Sequence, residues 1–292
     1  MRSGLLALCF LSLAGSGFGQ HVVVTAEGRH GQPPPEVSAD EVAVEVNGKA
    51  APVKAWLPLR GEDAGLELYV VIDDGSDADL ANQYSGLKSF VSGLVNAKTR
   101  VGLAYMRNGS AMVAAAPTSD ATKFAKALRL PLAQPGIASS PYMGISDLLK
   151  KWPAAEARRE VLLISSGADP WSPRDPQNPY LTKAIADAQR AGVLVHSIYY
   201  AGAGHGGHSY SLFNWGQNFL SEMADGTGGE AYWQGYGSPV SLEPFLKDLA
   251  QRLGNQYLLT VEQSSGELQP LKVTSSKAGL SLVAATRIRL PK

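Results

Sequence analysis

Leu66-Glu67-Leu68-Tyr69-Val70-Val71-Ile72-Asp73-Asp74-Gly75-Ser76-Asp77 sets the reading of this chain. Residues 66–72 are apolar apart from Glu67. A half-exposed strand would alternate, so a near-unbroken apolar run is expected of a strand covered on both faces. The run stops in carboxylates and a glycine, which is turn chemistry. Leu80, Tyr84, Leu87, Val91 and Leu94 then step by four and three, the period of a helix face.

The same alternation continues outward from this stretch. Val101–Met106 reads as a strand, Asn108-Gly109 as a tight turn and Ala111–Ala116 as an antiparallel return. Ser119 or Asp120 caps a helix carrying Phe124 and Leu128. A loop rich in Pro, Gly and Ser leads to a helix around Ile145–Trp152, which Pro153 ends. Glu160–Ser165 is a buried strand, 180–191 a helix stopped by Gly192, and Val193–Tyr200 another strand. A helix around 215–225, a short strand at Glu230–Trp233 and a helix over Leu242–Leu253 complete the segment. The expected fold class is α/β, a doubly wound, mostly parallel six-stranded sheet with one antiparallel edge strand, spanning residues 65–254.

The flanks have another texture. In 20–64, His21–Thr25 is apolar, and Glu41–Val46 alternates before Asn47-Gly48, with Val53–Leu59 as the expected return strand. In 255–292, Tyr257–Val261, Leu271–Thr274 and Leu280–Leu290 read as strands. Either flank alone is too small to bury a core, so the two could pair into one small β-sandwich.

Composition narrows the function. The 292 residues carry 26 basic and 26 acidic side chains, without the basic excess of a nucleic-acid binder. No apolar stretch reaches the roughly 18 residues of a membrane-spanning helix. Arg2, the apolar run Leu5–Leu13 and the small residues up to Gly19 have the layout of a secretory leader, residues 1–19. The expected location is therefore secreted or periplasmic. The single cysteine, Cys9, falls inside that leader, which excludes thiol catalysis and Cys-based zinc sites in the mature chain.

The order of elements over 66–253 is similar to that of a von Willebrand factor A domain. The resemblance is carried by Val70–Asp77, by Val161-Leu162-Leu163-Ile164-Ser165-Ser166-Gly167 and by Ala224-Asp225-Gly226-Thr227-Gly228-Gly229-Glu230. A leader, a short β segment before the core and another after it resemble the secreted bacterial members of that family, such as those of acidobacteria. The resemblance implies a divalent ion held by an Asp-x-Ser-x-Ser loop, a Thr from a second loop and an Asp after the fourth strand. Here only Asp73 matches the first motif. Gly75 and Asp77 replace its serines, Ser166 replaces the later Asp, and Ser139 and Ser140 are the nearest second-loop hydroxyls. Asp169 lies three residues beyond Ser166. Mg²⁺ wants six oxygens at about 2.0–2.1 Å, whereas Ca²⁺ tolerates looser sets. The expectation is a degenerate site without a cofactor, with Mg²⁺ or Ca²⁺ on Asp73, Asp77 and Asp169 as the alternative. In the degenerate reading Asp74-Gly75 makes the turn and Asp77 caps the next helix.

Other candidates are weaker. His205 and His208, with His196, could ligate Zn²⁺ or Cu²⁺, but glycines surround the pair and His196 sits mid-strand. Ser165 or Ser166 could be imagined as a nucleophile with His205 and Asp169, yet no Gly-x-Ser-x-Gly elbow is present. No phosphate-binding glycine loop occurs. Aromatic residues cluster instead. Loops at the carboxyl ends of the strands share one face, where ligands of open α/β sheets bind. Trp171, Tyr180, His205, His208, Tyr210, Phe213, Trp215 and Tyr236 are assigned to that face as a protein-binding surface. The expected function is a non-enzymatic protein-binding module in adhesion or envelope assembly. A metal-dependent adhesion protein and a serine hydrolase are the alternatives.

Overall fold

The computed structural model describes residues 21–133, 140–155, 157–172, 177–203, 210–261 and 266–289. The first flank supplies β1 (His21–Gly28), β2 (Val42–Val46), β3 (Lys49–Ala50) and β4 (Val53–Pro58). The central segment runs β5 (Leu66–Asp73), α1 (Tyr84–Leu94), β6 (Thr99–Arg107), β7 (Ser110–Thr118), α2 (Ala121–Ala127), α3 (Pro141–Lys151) and β8 (Arg158–Ser165). It continues with α4 (Pro179–Ala191), β9 (Val193–Tyr199), α5 (Tyr210–Thr227), β10 (Ala231–Tyr232) and α6 (Glu243–Gly254). The last flank holds β11 (Gln256–Val261), β12 (Leu268–Ser275), β13 (Leu280–Ala284) and β14 (Arg287–Arg289).

The central segment forms a six-stranded sheet in the order β10-β9-β8-β5-β6-β7. All neighbours are parallel except β6 and β7, an antiparallel hairpin at the edge. Its turn, Asn108-Gly109, has φ of 52° and 69°, the left-handed pair that matches strand twist. β5 is buried along its whole length, as its apolar run requires. Leu68, Val70 and Ile72 face a layer that includes Leu87 and Val91 of α1 and Leu249 of α6. Tyr69 and Val71 face the opposite layer, which includes Ile145 of α3, Leu181 of α4 and Phe219 of α5. The chain enters at β5, builds outward to β7, then crosses to β8 and builds the other way. The direction therefore switches between β5 and β8, which leaves a crevice over their carboxyl ends.

The flanks interleave into two four-stranded antiparallel sheets, β13-β1-β11-β4 and β14-β12-β2-β3. Neither flank completes a sheet alone: β1 lies between β11 and β13, and β2 between β3 and β12. Valines of β1 and β2, with Trp56, Leu259 and Val273, form their shared core. Trp56 stacks on Tyr257 across the two flanks at 4.6 Å, and its indole N–H reaches the Val37 carbonyl at 2.9 Å.

Three local expectations change. Val53–Leu59 is not the return strand of the Asn47-Gly48 hairpin. That role falls to the two residues of β3, while β4 crosses to the other sheet and pairs with β11. Ala51 closes the hairpin on the Val44 carbonyl, and Pro52, with no N–H, stops the ladder there. The helix face beginning at Leu80 starts as a 3₁₀ segment, Ala78–Gln83, before α1. Leu280–Leu290 divides into β13 and β14 because Thr286, between them, bonds to the Gly226 carbonyl of α5.

Candidate functional site

Asp73 ends β5 beside Ser165, the last residue of β8, at the switch point. One Asp73 carboxylate oxygen accepts the Gly75 N–H at 2.8 Å, and the other accepts the Ser165 hydroxyl proton at 2.7 Å. Ser165 in turn accepts the Gly167 N–H at 3.0 Å. Asp74 is fully buried and receives both terminal nitrogens of Arg129, at 2.6 and 2.7 Å. The guanidinium lies 3.8 Å from the centroid of the Tyr105 ring, whose hydroxyl accepts the Arg129 backbone N–H at 2.7 Å. The Asp74 hydrogen bonds hold the Arg129 guanidinium above its ordinary value.

Asp77 caps the 3₁₀ segment, accepting the Asp79 N–H at 3.2 Å. Asp169 is buried and accepts three donors: the Ser140 hydroxyl at 2.8 Å, the Asn178 amide at 3.0 Å and the Trp171 N–H at 3.0 Å. Ser140 and Asn178 also cap α3 and α4, so Asp169 ties two helix starts together. Ser166 accepts the Ala168 N–H at 3.4 Å. Tyr142 donates to the Gly167 carbonyl at 2.7 Å, and burial, then the charges of Asp169, Asp73 and Glu222, push its hydroxyl well above the ordinary tyrosine range.

No family model matches the sequence, and none of the curated proteins matches it. Solved structures similar in fold include the BatB protein of Bacteroides thetaiotaomicron, at 15% identity and a TM-score of 0.48 over 65% of this chain and 97% of that one. The von Willebrand factor type A protein of Catenulispora acidiphila is 10% identical, with a TM-score of 0.44 over 96% and 76% of the two chains. The SpRpn10 VWA domain is 18% identical, with a TM-score of 0.41 over 63% and 93%. The strand order and the two helical layers agree with the sequence resemblance. A six-stranded sheet between two helical layers is the arrangement that the sequence resemblance implies.

The residues to which the sequence resemblance would assign an ion do not offer it a free set of oxygens. Asp73, Asp74 and Asp169 already take hydrogen bonds from protein donors on both carboxylate oxygens. Gly75 brings no side-chain oxygen, and Asp77 turns to the helix start it caps. No group of three or more His, Asp or Glu suited to a metal occurs among the described residues. This donor set does not fit an octahedral ion. One oxygen stands apart: the Ser76 hydroxyl is buried with no hydrogen-bond partner among the described residues.

The loops around this cluster carry the exposed apolar residues. Trp171 is 43% exposed and Tyr236 54%. Trp233, Leu130, Leu132 and Val240 are exposed as well, and of these Leu130 and Leu132 carried no sequence signal for that face. Tyr180 is half-buried against the Trp171 ring. Phe213 and Trp215 offer a partner less than expected. Both pack against the helical layer of α3–α5, Phe213 on Tyr199 and Trp215 on Phe219. Ser139, His205 and His208 lie outside the described residues, as does the Tyr210 side chain. His196 is a buried core residue. It shares a 2.8 Å hydrogen bond with Glu160, and its other ring nitrogen accepts the Glu230 N–H at 3.1 Å. Among the described residues no helix is long and apolar enough to cross a membrane.

Proposed function

We propose that this chain is a non-enzymatic protein-binding module of the adhesion or envelope-assembly kind, acting outside the cytoplasm. Its partner docks on the loops at the carboxyl end of the six-stranded sheet, and no divalent ion bridges the two. The observation that carries this reading is the occupation of Asp73, Asp74 and Asp169 by protein donors, with Arg129 supplying the positive charge. Apolar side chains crowd the same end: Trp171, Trp233, Tyr236 and Leu130. Tyr and Trp rings gain contact area at little entropic cost, which suits them to interfaces. The buried Ser165 hydroxyl is committed to Asp73, which disfavours it as a nucleophile. The leader-like residues 1–19 support the location.

A second reading, an ion-dependent face, is favoured by one feature, the unpartnered Ser76 hydroxyl beside Asp73. Thermal unfolding in EDTA, then with Mg²⁺, Ca²⁺, Mn²⁺ and Zn²⁺, separates the two. An ion at about 100 times its dissociation constant adds roughly 2.7 kcal/mol, a midpoint shift of about 5 °C or more for a chain of this size. A flat response is expected. A clear Mg²⁺ or Ca²⁺ shift lost in Asp73→Ala would replace the ion-free reading. Labelling of the folded protein by a serine-reactive probe would overturn the non-enzymatic one.

A further inference from the structure

We propose that the cleft between α4, α5 and the β13–β14 connection is a second binding site, one that takes a lysine or arginine residue bearing a free α-carboxylate. The cleft has a volume of 530 Å³, within the range of about 300–1,000 Å³ typical of small-ligand sites. Its walls come from both the α/β core and the sandwich, and pockets for ligands favour such junctions. It lies on the flank of the molecule, with no residue in common with the top-face loops.

The inner end is fixed. The Gly226 carbonyl gathers the Thr286 N–H at 3.2 Å, the Gln189 amide at 2.7 Å and the Thr286 hydroxyl at 3.3 Å. Gly226 is required there, since a Cβ would stand 2.8 Å from Cγ2 of Ile185. The two helices close on each other at this point, so the cleft is preformed rather than assembled by a ligand.

Its charges are unspent. Glu222 and Asp225, three apart on one face of α5, line one wall and are neither hydrogen-bonded nor ion-paired among the described residues. Desolvation pushes the Glu222 carboxyl above its ordinary value, and no nearby cation offsets it. Arg287 enters from the sandwich side and bonds only to the Leu268 carbonyl, at 3.1 Å. On the outer face of α4 the charges do pair, Lys183 and Arg190 with Asp187. Ile185 and Ala186 of α4 line the same cleft and supply apolar surface. A basic side chain can lay its stem on that surface and bring its head to the two carboxylates. The α-carboxylate then meets Arg287, for which a guanidinium is the natural partner. A free amino acid and the end of a peptide chain share this chemistry.

Titration calorimetry and backbone NMR of the whole chain test this with Nα-acetyl-lysine, its amide, Nα-acetyl-glutamate and an acetylated hexapeptide ending in lysine. Nα-acetyl-lysine should bind, with shifts at Ile185 and Gly226. The Glu222→Gln, Asp225→Asn double variant should weaken it by about tenfold or more, and Arg287→Gln should weaken the acid but not the amide. All three positions are exposed, so the variants should keep their fold. A hexapeptide that binds more tightly than the single residue identifies a chain end as the ligand, and equal binding identifies the residue alone. Absence of shifts up to about 10 mM, equal binding of Nα-acetyl-glutamate, or equal binding of the amide to the wild-type cleft would each overturn the site.

Discussion

Arg129 and Asp74 form a bidentate ion pair in which the carboxylate is fully buried and the guanidinium is 40% exposed. The cation that neutralises this buried carboxylate belongs to the chain itself. Replacing Arg129 by methionine should destabilise the protein by about 2–4 kcal/mol, because it strands a buried carboxylate; the exposed half of the pair keeps the loss below that of a wholly buried one. Lysine should rescue poorly, since it cannot bond both oxygens or stack on Tyr105. Adding Asp74→Asn to Arg129→Met should recover much of the loss. Urea denaturation of the four proteins checks this, and a double variant no more stable than the single would contradict it.

Acid sensitivity should trace to Glu160. Burial alone would raise its carboxyl, but the His196 hydrogen bond, with Arg158 and Gln256, outweighs it and holds the group below its ordinary 4.5. A depressed folded value means stability that is present above pH 4.5 and lost as pH falls through the folded value. Glu230 carries the opposite sign: burial raises it, so its contribution fades as pH rises. Glu160→Gln should therefore lower stability at neutral pH by about 3–5 kcal/mol and flatten the acid limb below pH 4.5. Denaturant midpoints measured from pH 3 to 8 would show it.

Gly216→Ala should disturb the top face without touching a charged group. A Cβ there would lie 2.0 Å from the Ser166 carbonyl, and Gly167 opposite sits at φ +67° with its own Cβ position 2.2 Å from the Gly216 carbonyl. Backbone meets backbone, so the loop carrying Asp169 must shift. The expected cost is about 1–3 kcal/mol, together with weaker amide protection at Ala168 and Trp171 in hydrogen exchange. Unchanged protection there would argue that α5 moves instead.

A chain ended after Gly254 should keep the α/β core and lose the sandwich. β1 and β4 both pair with β11, and Trp56 stacks on Tyr257. Trp56 emission should shift to the red on truncation while the helical far-UV signal persists. A helical signal lost in parallel would mean that the core depends on the flanks.

The core was legible in the sequence because its strands are buried on both sides and its helices keep a clean apolar step, as β5 and Leu87–Val91 illustrate. The sandwich was harder. Its strands are short and alternate, so pattern marks them as strands but not by partner; β4 reads as the return of its own hairpin until Pro52 and the pull of β11 are weighed. In the loop after β5, Asp73 and Asp77 were visible as carboxylates. The Asp77 helix cap could be read there, but the partners of Asp73 and Asp74 could not, since Ser165 and Arg129 come from distant segments whose spacing carries no signal.

The interleaved flanks also constrain how the molecule is made. β1 and β4 leave the ribosome before their shared partner β11 exists, and β2 before β12. They must wait while everything from Leu66 to Gly254 is synthesised; at roughly 5–20 residues per second the delay is on the order of 10–40 s. Through that interval Val22, Val24, Val44 and Trp56 have nothing to bury against, and their unsatisfied edges invite pairing with any other nascent strand. Closure of the sandwich is thus a late event, conditional on an intact far end of the chain. Translation cut short anywhere before β11 would yield a product with a folded centre and a sticky, unfinished rim, a form that proteases and chaperones can tell from the finished protein.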